Sequence, residues 1–147
     1  MLVKDTMSRA VKTVSPETTI KEAARIMADA DLGALPVAAG DHLAGMVTDR
    51  DIVVRGVAIG KGLETTVGEV MTHDVLYCHE DEDIGHIATN LAENQVRRLP
   101  VVDADKRLVG IISLADIADA RADEAGEALE GITRPGGARS QSIEGRA

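Results

Sequence analysis

An internal duplication constrains the fold more than any other feature, because much of the first half of the chain reappears in the second half. Residues 3–53 align with residues 67–118, with one inserted residue near Lys106. About 14 identities fall over roughly 51 aligned positions. The matching blocks are Leu35-Pro36-Val37 with Leu99-Pro100-Val101, Leu43 and Gly45 with Leu108 and Gly110, and Asp51-Ile52 with Asp116-Ile117. Chance seldom keeps several such blocks in one order, so two copies of one structural unit are predicted.

Each copy shows the pattern β-α-β-β-α. The predicted strands cover residues 11–14, 34–38 and 43–47 in the first copy and 75–78, 98–102 and 108–112 in the second. Apolar residues at helical spacing predict the first helix of each copy, with Thr18 as the N-cap in the first copy. These residues are Ile20, Ala23, Ala24 and Met27, and Ile84, Ile87, Ala88 and Leu91.

The predicted fold class is α/β of the α+β type, with repeat 1 at residues 1–62 and repeat 2 at residues 63–125. A unit of about 50 residues buries too little surface to be stable alone, so the two repeats are expected to pack with pseudo-twofold symmetry. Residues 126–147 are expected to form a flexible tail, since this stretch is rich in Gly, Pro and Ser. Within it, Ile143-Glu144-Gly145-Arg146 has the form of an engineered protease-linker site.

The composition excludes several classes of protein. The net charge is −9, and Tyr77 is the single aromatic residue of the sequence, so a general nucleic-acid binder is not expected. The single cysteine, Cys78, cannot form an internal disulfide. No apolar run approaches the roughly 20 residues that span a bilayer, and the N-terminus does not resemble a signal peptide. A soluble, cytoplasmic protein without membrane or nucleic-acid partners is expected.

Two further patterns carry little functional signal. Residues 56–62 resemble a phosphate-binding loop, but the spacing is one residue short and Gly62 stands where Ser or Thr would hold magnesium. His73, Cys78, His79 and His86 could gather on a metal ion, yet adjacent strand residues such as Cys78 and His79 point to opposite faces. We therefore predict a helix end with a linker at residues 56–62, and no metal site.

A hydroxyl residue precedes an aspartate by three positions at the same strand-to-helix junction in both copies. We call residues 48–52, with Thr48 and Asp51, the first motif, and residues 113–117, with Ser113 and Asp116, the second motif. An ionised Asp can accept two hydrogen bonds from a ribose diol, and free N–H groups at a helix start suit a phosphate. The alternative is helix capping alone, in which the hydroxyl caps the helix and the Asp complements its dipole.

With these motifs the chain resembles a tandem pair of CBS domains, also called a Bateman module. The resemblance rests on Met7-Ser8 and Met71-Thr72, the two Leu-Pro-Val runs and the two motifs, and covers about residues 2–122. It is strongest to small stand-alone bacterial members of the type induced in actinobacterial hypoxia and dormancy. No enzymatic activity is implied, and no cofactor is required.

The resemblance implies two clefts that bind adenosyl compounds such as AMP, ADP, ATP or S-adenosylmethionine. The residues implied for cleft one are Thr48, Asp51 and Met46 from the first copy and Thr72, Leu76, Val96, Arg97 and Arg98 from the second. The residues implied for cleft two are Ser113, Asp116 and Ile111 from the second copy and Ser8, Lys12, Leu32 and Gly33 from the first. Cleft one is expected to bind the nucleotide more strongly, because Arg97 and Arg98 can pair with phosphate and their counterparts, Gly33 and Ala34, cannot.

The helix after the first motif carries more apolar residues than one small core can bury. These residues are Ile52, Val53, Val54, Val57, Ala58 and Ile59. The excess predicts a partner surface, and a homodimer is expected.

Three functions remain open at this stage. The chain is a regulatory module that senses an adenine nucleotide and reports energy or stress state, or it is an interaction protein with vestigial clefts that acts through its dimer surface. An enzyme is the third, and no nucleophile or acid–base pair supports it. For the first two, a separate protein partner is expected.

Overall fold

The computed structural model describes residues 1–120 and 129–133. The predicted tail falls mostly outside the described residues, including the stretch at 143–146. Within that tail, residues 129–133 are helical, and Gly131 is buried against Ala92. The side-chain amide of Gln95 donates to the Gly131 carbonyl at 3.2 Å, so this segment packs beside the second repeat's long helix.

Helices and short strands alternate along the described chain, which confirms the α+β class. The first repeat contains α1 (Ile20–Ala30), β1 (Ala34–Ala39), β2 (His42–Thr48) and α2 (Asp49–Arg55). The second contains α3 (Val67–Val70), β3 (Cys78–His79), α4 (Ile84–Asn94), β4 (Arg98–Val102), β5 (Leu108–Ser113) and α5 (Leu114–Ala120). Two 3₁₀ turns lie at Val3–Asp5 and Val57–Ile59.

Helix α1 begins one residue later than its predicted cap. The N-cap is Thr19, whose side chain accepts the Glu22 N–H at 3.1 Å. Thr18 instead accepts the Ser15 N–H at 3.1 Å, so it closes the turn before the helix. Three of the four predicted core residues are buried, but Ala24 is exposed because the short apolar stripe of this helix is narrower than predicted.

Helix α4 matches its prediction in full. Ile84, Ile87, Ala88 and Leu91 are all buried. The side chain of Asp83 caps the helix by accepting the Gly85 N–H at 2.9 Å. Each of these helices ends on a residue in the left-handed conformation, Asp31 after α1 and Gln95 after α4.

The strands form two small sheets. Strands β1 and β2 pair antiparallel, with a bulge between Val37 and Ala38, whereas β3, β4 and β5 form a three-stranded sheet in which β3 and β4 are parallel. The predicted first strands are mostly absent. Residues 11–14 supply only one bridge, between Val14 and Val37, since the residues before Val14 are partly or fully exposed and have no strand to pair with. The strand predicted at residues 75–78 is the two-residue β3.

The described chain divides into two compact units that do not follow the repeat boundaries. The first-motif unit comprises Lys12–Val75 and Lys106–Leu108, and the second-motif unit comprises Met1–Val11, Leu76–Asp105 and the described residues from Val109 onward. Each unit therefore takes the leading segment of the other repeat.

Each unit has its own hydrophobic core, to which the exchanged segment contributes. Val3 and Met7 are buried with residues of the second repeat, among them Ile87 and Leu91. Val67, Val70 and Met71 are buried with residues of the first repeat, among them Ile20 and Leu35. The two exchanged segments thus complete two equivalent cores.

No helix within residues 1–120 and 129–133 is long and apolar enough to cross a membrane.

Candidate ligand-binding sites

The first motif forms a reciprocal cap where β2 passes into α2. The Asp51 N–H donates to the Thr48 hydroxyl oxygen at 3.0 Å, and the Thr48 N–H donates to Oδ2 of Asp51 at 3.0 Å. The hydroxyl-x-x-Asp spacing produces this geometry because the N-cap and N3 side chains face each other's backbone. The capping interpretation is therefore confirmed for this motif, and it occupies one carboxylate oxygen of Asp51.

The second motif repeats the same cap where β5 passes into α5. The Ser113 N–H donates to Oδ2 of Asp116 at 2.9 Å, and the Asp116 N–H donates to the Ser113 hydroxyl at 3.2 Å. The Ser113 hydroxyl also lies 3.1 Å from the same Oδ2. All these bonds leave Oδ1 of Asp116 without a hydrogen-bonding partner in the described part of the chain, so this oxygen can accept bonds from a ligand.

Arg55 distinguishes the first motif from the second. Its Nε lies 3.9 Å from Oδ1 of Asp51, and its guanidinium Nη1 donates to the Met71 carbonyl at 3.3 Å. The Asp51 side chain is only 12% exposed, and Arg55 places a positive charge at ion-pair distance from its carboxylate. Arg55 is not among the residues predicted for the site, although its four-residue spacing from Asp51 was a signal for it. The corresponding residue of the second motif is Ala120.

In each unit, the residue that directly follows a strand glycine lies at a strand edge. The exchanged segment, which is the leading segment of the other repeat, covers this edge. Met46, after Gly45, bridges Thr72, with N–H to carbonyl distances of 3.0 and 2.8 Å. Ile111, after Gly110, bridges Ser8, with both distances 2.9 Å. Thr72 therefore lies in the unit of the first motif and Ser8 in the unit of the second.

The loops that follow α1 and α4 lie beside the motif of their own repeat. The Asp49 N–H donates to the Gly33 carbonyl at 3.0 Å, and the Leu114 N–H donates to the Arg97 carbonyl at 2.8 Å. Strand β1 returns directly along β2 and brings its leading loop to the start of α2. The implied clefts join residues of both repeats, with Leu32 and Gly33 serving the second motif and residues 96–98 the first, and this pairing stays a prediction.

The compact units also contain two more of the implied cleft residues, Lys12 and Leu76. Lys12 belongs to the compact unit of the first motif, and Leu76 to that of the second. The Leu76 side chain packs against the core of its unit, together with Val96. Leu32 packs against the core of the first-motif unit.

The charges beside the two motifs differ. In the first, the Asp49 carboxylate approaches Gly33, such that a Cβ on Gly33 would lie 3.3 Å from Oδ2 of Asp49. In the second, Leu114 replaces this Asp and packs against the core, while Arg97 replaces Gly33 and is exposed. Arg98 is partly exposed beside it. The Arg97 backbone therefore lies beside the second motif, and the expectation that cleft one binds the nucleotide more strongly stays a prediction.

The candidate metal ligands do not form a cluster of three or more within the described chain. Among residues 1–120 and 129–133, no group of three or more His, Cys, Asp or Glu side chains could hold a metal ion. Burial raises the pKa of the Cys78 thiol from 9.0 to about 12, with a further increase from the nearby Glu82 charge. The thiol is therefore protonated at neutral pH.

Comparison with known proteins gives one consistent result. The family model described as "CBS domain" matches residues 3–56 and 67–123. The chain is 42% identical over 133 residues to the CBS domain-containing protein YhcV of Bacillus subtilis, covering 89% of this chain and 94% of that protein. It is 41% identical over 117 residues to Hypoxic response protein 1 of Mycobacterium tuberculosis, covering 78% and 81%.

Solved structures agree with this family. Hypoxic Response Protein I with two coordinated zinc ions has a TM-score of 0.74 at 38% identity, covering 82% of this chain and 98% of that one. CBSX2 in complex with AMP has a TM-score of 0.74 at 29% identity, covering 83% and 96%. The CBS domain pair of MJ0100 in complex with 5′-methylthioadenosine and S-adenosyl-L-methionine has a TM-score of 0.70 at 34% identity, covering 82% and 98%. The chain belongs to the CBS-domain family, and it carries two CBS domains in tandem.

Proposed function

We propose that the protein is a regulatory module that binds adenosyl ligands at its two motifs. The observation that carries the proposal is the repeated cap, which holds an aspartate at the same strand-to-helix junction in both repeats. Support comes from relatives of the same fold, of which CBSX2 was solved with AMP and the MJ0100 pair with 5′-methylthioadenosine and S-adenosyl-L-methionine.

In this proposal the aspartates bind the ribose. Oδ2 of Asp51 and of Asp116 already accepts backbone N–H groups, which fixes the carboxylate without rotation. The other oxygen of each carboxylate then accepts the ribose hydroxyls. Met46 and Ile111 are partly exposed at the adjoining strand edges and offer aliphatic contact to the adenine ring.

The ligand affinity is expected to be moderate and to depend on salt. The net charge of −9 repels an anionic nucleotide, and this repulsion is screened over about 8 Å at physiological ionic strength. Since Tyr77 is the single aromatic residue, dispersion and burial against aliphatic side chains replace ring stacking.

The proposal predicts ligand-dependent stabilisation that needs the two aspartates. A ligand at about 100 times its dissociation constant adds about 2.7 kcal/mol to the unfolding free energy, which a thermal shift assay with AMP, ATP, NAD and S-adenosylmethionine detects. Replacing both residues, Asp51→Asn and Asp116→Asn, removes charge-assisted bonds to the ribose and should weaken binding at least about tenfold in calorimetry. The matched control is Asp119→Asn, an exposed aspartate of α5 outside the cap.

The alternative function is an interaction protein that binds no nucleotide. Its supporting observation is the exposed apolar surface after the first motif, where Val57 is 57% and Ile59 66% exposed. Absence of any thermal shift with the four compounds would favour this alternative over the ligand-binding module.

We also propose that this apolar surface forms a homodimer, whichever function holds. Val53, Val54, Val57 and Ile59 expose side chains that a partner would bury. Sedimentation at about 10 μM should give a dimer. Introducing a charge with Val57→Asp should give a monomer of unchanged helix content, while Ala28→Asp on the exposed side of α1 should not. A monomeric unmodified protein would contradict the proposal.

One relative supports a proposal about the cellular state to which the protein responds. The similarity to Hypoxic response protein 1 supports a role in reporting energy or stress state to a separate protein partner. Some of the similar proteins are enzymes, and the similarity covers only part of their length. For inosine-5′-monophosphate dehydrogenase of Thermoplasma acidophilum, it covers 25% of that enzyme.

A further inference from the structure

Residues 129–133, which we call the strap, lie against the end of α4 through one buried glycine. A Cβ on Gly131 would lie 2.5 Å from the Cβ of Ala92 and 2.7 Å from its carbonyl oxygen, so a larger residue would have to move away. The side-chain amide of Gln95 donates to the Gly131 carbonyl at 3.2 Å, and Ile132 packs against the core of the second-motif unit. Leu129, by contrast, is 46% exposed. The contact is therefore close, but few atoms make it.

The first repeat shows that a unit of this fold has a complete core without such a strap. The residues equivalent to Ala92 and Gln95 in the first repeat are Ala28 and Asp31, and both are exposed. The first-motif unit nevertheless has its own buried core. Segments with few buried apolar contacts open at a low free-energy cost, well below that of global unfolding. The strap can therefore leave α4 while the rest of its unit stays folded.

A short series of contacts joins the strap to the second motif. Gln95, which holds the strap, is the left-handed residue that ends α4, with a φ of 54°. Two residues later, the Arg97 carbonyl accepts the Leu114 N–H at 2.8 Å. Leu114 is the first residue of α5 and lies between Ser113 and Asp116, whose side chains and N–H groups form the cap. The strap is thus one short loop and one hydrogen bond away from the cap.

We propose that docking of the strap on α4 is coupled to the second motif, so that the strap reports whether this motif is occupied. A ligand that binds Asp116 holds the start of α5, which holds the Arg97 carbonyl and with it the direction of the Gln95 side chain. The strap is the two-state element, docked or released, that the motif biases. By reciprocity, a docked strap raises the ligand affinity by the same factor by which the ligand favours docking. The reporter role rests on the proposed function, whereas the coupling between strap and cap does not.

The first repeat supplies a matched internal comparison. There the Asp49 N–H donates to the Gly33 carbonyl at 3.0 Å, and the Asp51 N–H donates to the Thr48 hydroxyl at 3.0 Å. This is the same link between loop and cap, but the strap belongs to the unit of the second motif. The amides of the first motif should therefore not respond when the strap is released.

Amide hydrogen exchange measured by NMR on the full chain tests the coupling without a ligand. Gly131→Ala adds a methyl group that overlaps α4 and should release the strap. Exchange of the Leu114 and Asp116 amides should then accelerate about fivefold or more, while the Asp49 and Asp51 amides keep their rates. Unchanged rates at the second motif, or equal acceleration at both motifs, would overturn the coupling.

Further variants keep the result from depending on one substitution. Gln95→Met removes the donor to the Gly131 carbonyl at similar side-chain length and should give the same pattern. Glu130→Ala is the matched control, because it alters an exposed residue of the strap and should leave every rate unchanged. In the reverse direction, Ser113→Ala weakens the second cap and should move the Gly131 amide resonance toward its position in Gln95→Met, whereas Thr48→Ala should not. A Gly131 resonance that ignores Ser113→Ala would contradict the proposal.

AMP and S-adenosylmethionine are the probes of the reporter role. A probe whose calorimetric binding weakens in Asp116→Asn occupies the second motif, and at saturation it should move the Gly131 resonance away from its released position. Its affinity should fall about fivefold or more in Gly131→Ala and stay unchanged in Glu130→Ala. If such a probe binds without these effects, the strap is not a reporter, while the proposed function stands. If neither probe binds at the second motif, the proposed function and the reporter role both fail there, and the exchange rates alone decide the coupling.

Discussion

Deletion of residues 1–11 is expected to unfold the second-motif unit while the first-motif unit retains its structure. The deleted segment belongs to the second repeat's unit although it begins the first repeat. Val3 is completely buried and Met7 almost so, both in the core around α4. Removing them exposes the inner faces of Ile87 and Leu91.

The segment also supplies backbone and side-chain hydrogen bonds. The Val3 N–H donates to the Glu82 carbonyl at 2.8 Å, Ser8 pairs with Ile111, and the Thr6 hydroxyl donates to the Asp116 carbonyl at 3.2 Å. Burial of the Val and Met side chains contributes about 3 to 6 kcal/mol together. A small domain has a total stability of only about 5 to 15 kcal/mol. The loss of both side chains and these hydrogen bonds should therefore unfold the second-motif unit.

Hydrogen exchange followed by mass spectrometry can resolve this prediction by region. Protection should fall in α4, β4 and β5, and remain in α1, β1 and β2, since those elements have their own core. A control is Lys4→Ala, which removes an exposed ion pair with Asp81 and should change stability by less than about 1 kcal/mol. Equal loss of protection in both units, or none in either, would contradict the assignment of the segment.

The sequence predicts features that depend on neighbouring residues. The buried face of α4 follows from its spacing, and the caps at both motifs follow from a hydroxyl three residues before an Asp. The structure confirms both because these interactions close within one or two turns. The predicted N-cap of α1, Thr18, was wrong by one residue because threonine is a good cap at either position. The Thr18 hydroxyl instead accepts the Ser15 N–H in the preceding turn, and Thr19 caps the helix.

Long-range placement could not be predicted in the same way. Val3 and Met7 are the repeat equivalents of Val67 and Met71, so either pair fits either core equally well by pattern. The sequence therefore contains no signal for the exchange of leading segments. The assignment of Arg97 to a cleft stays a prediction for a related reason, since a repeat alignment gives equivalence but not contact.

Gly45→Ala is expected to destabilise the first-motif unit by about 3 kcal/mol. A Cβ at this position would overlap the Thr72 carbonyl oxygen, which accepts the Met46 N–H. The backbone of the exchanged segment must therefore move away, which breaks both hydrogen bonds of the Met46–Thr72 bridge and displaces the buried Met71. The loss should appear as a lower midpoint in urea unfolding.

A second glycine separates this steric explanation from a general effect of alanine. Gly62 is exposed, and a Cβ there would contact nothing within 4 Å. Gly62→Ala should therefore leave the protein unchanged or stabilise it by up to about 1 kcal/mol, because alanine restricts the unfolded chain. Gly110→Ala should act like Gly45→Ala but in the other unit, since its Cβ would lie 2.8 Å from the Ser8 carbonyl oxygen. Equal urea midpoints for Gly45→Ala and Gly62→Ala would mean that the exchanged segment does not hold the edge of β2 as closely as the structure places it.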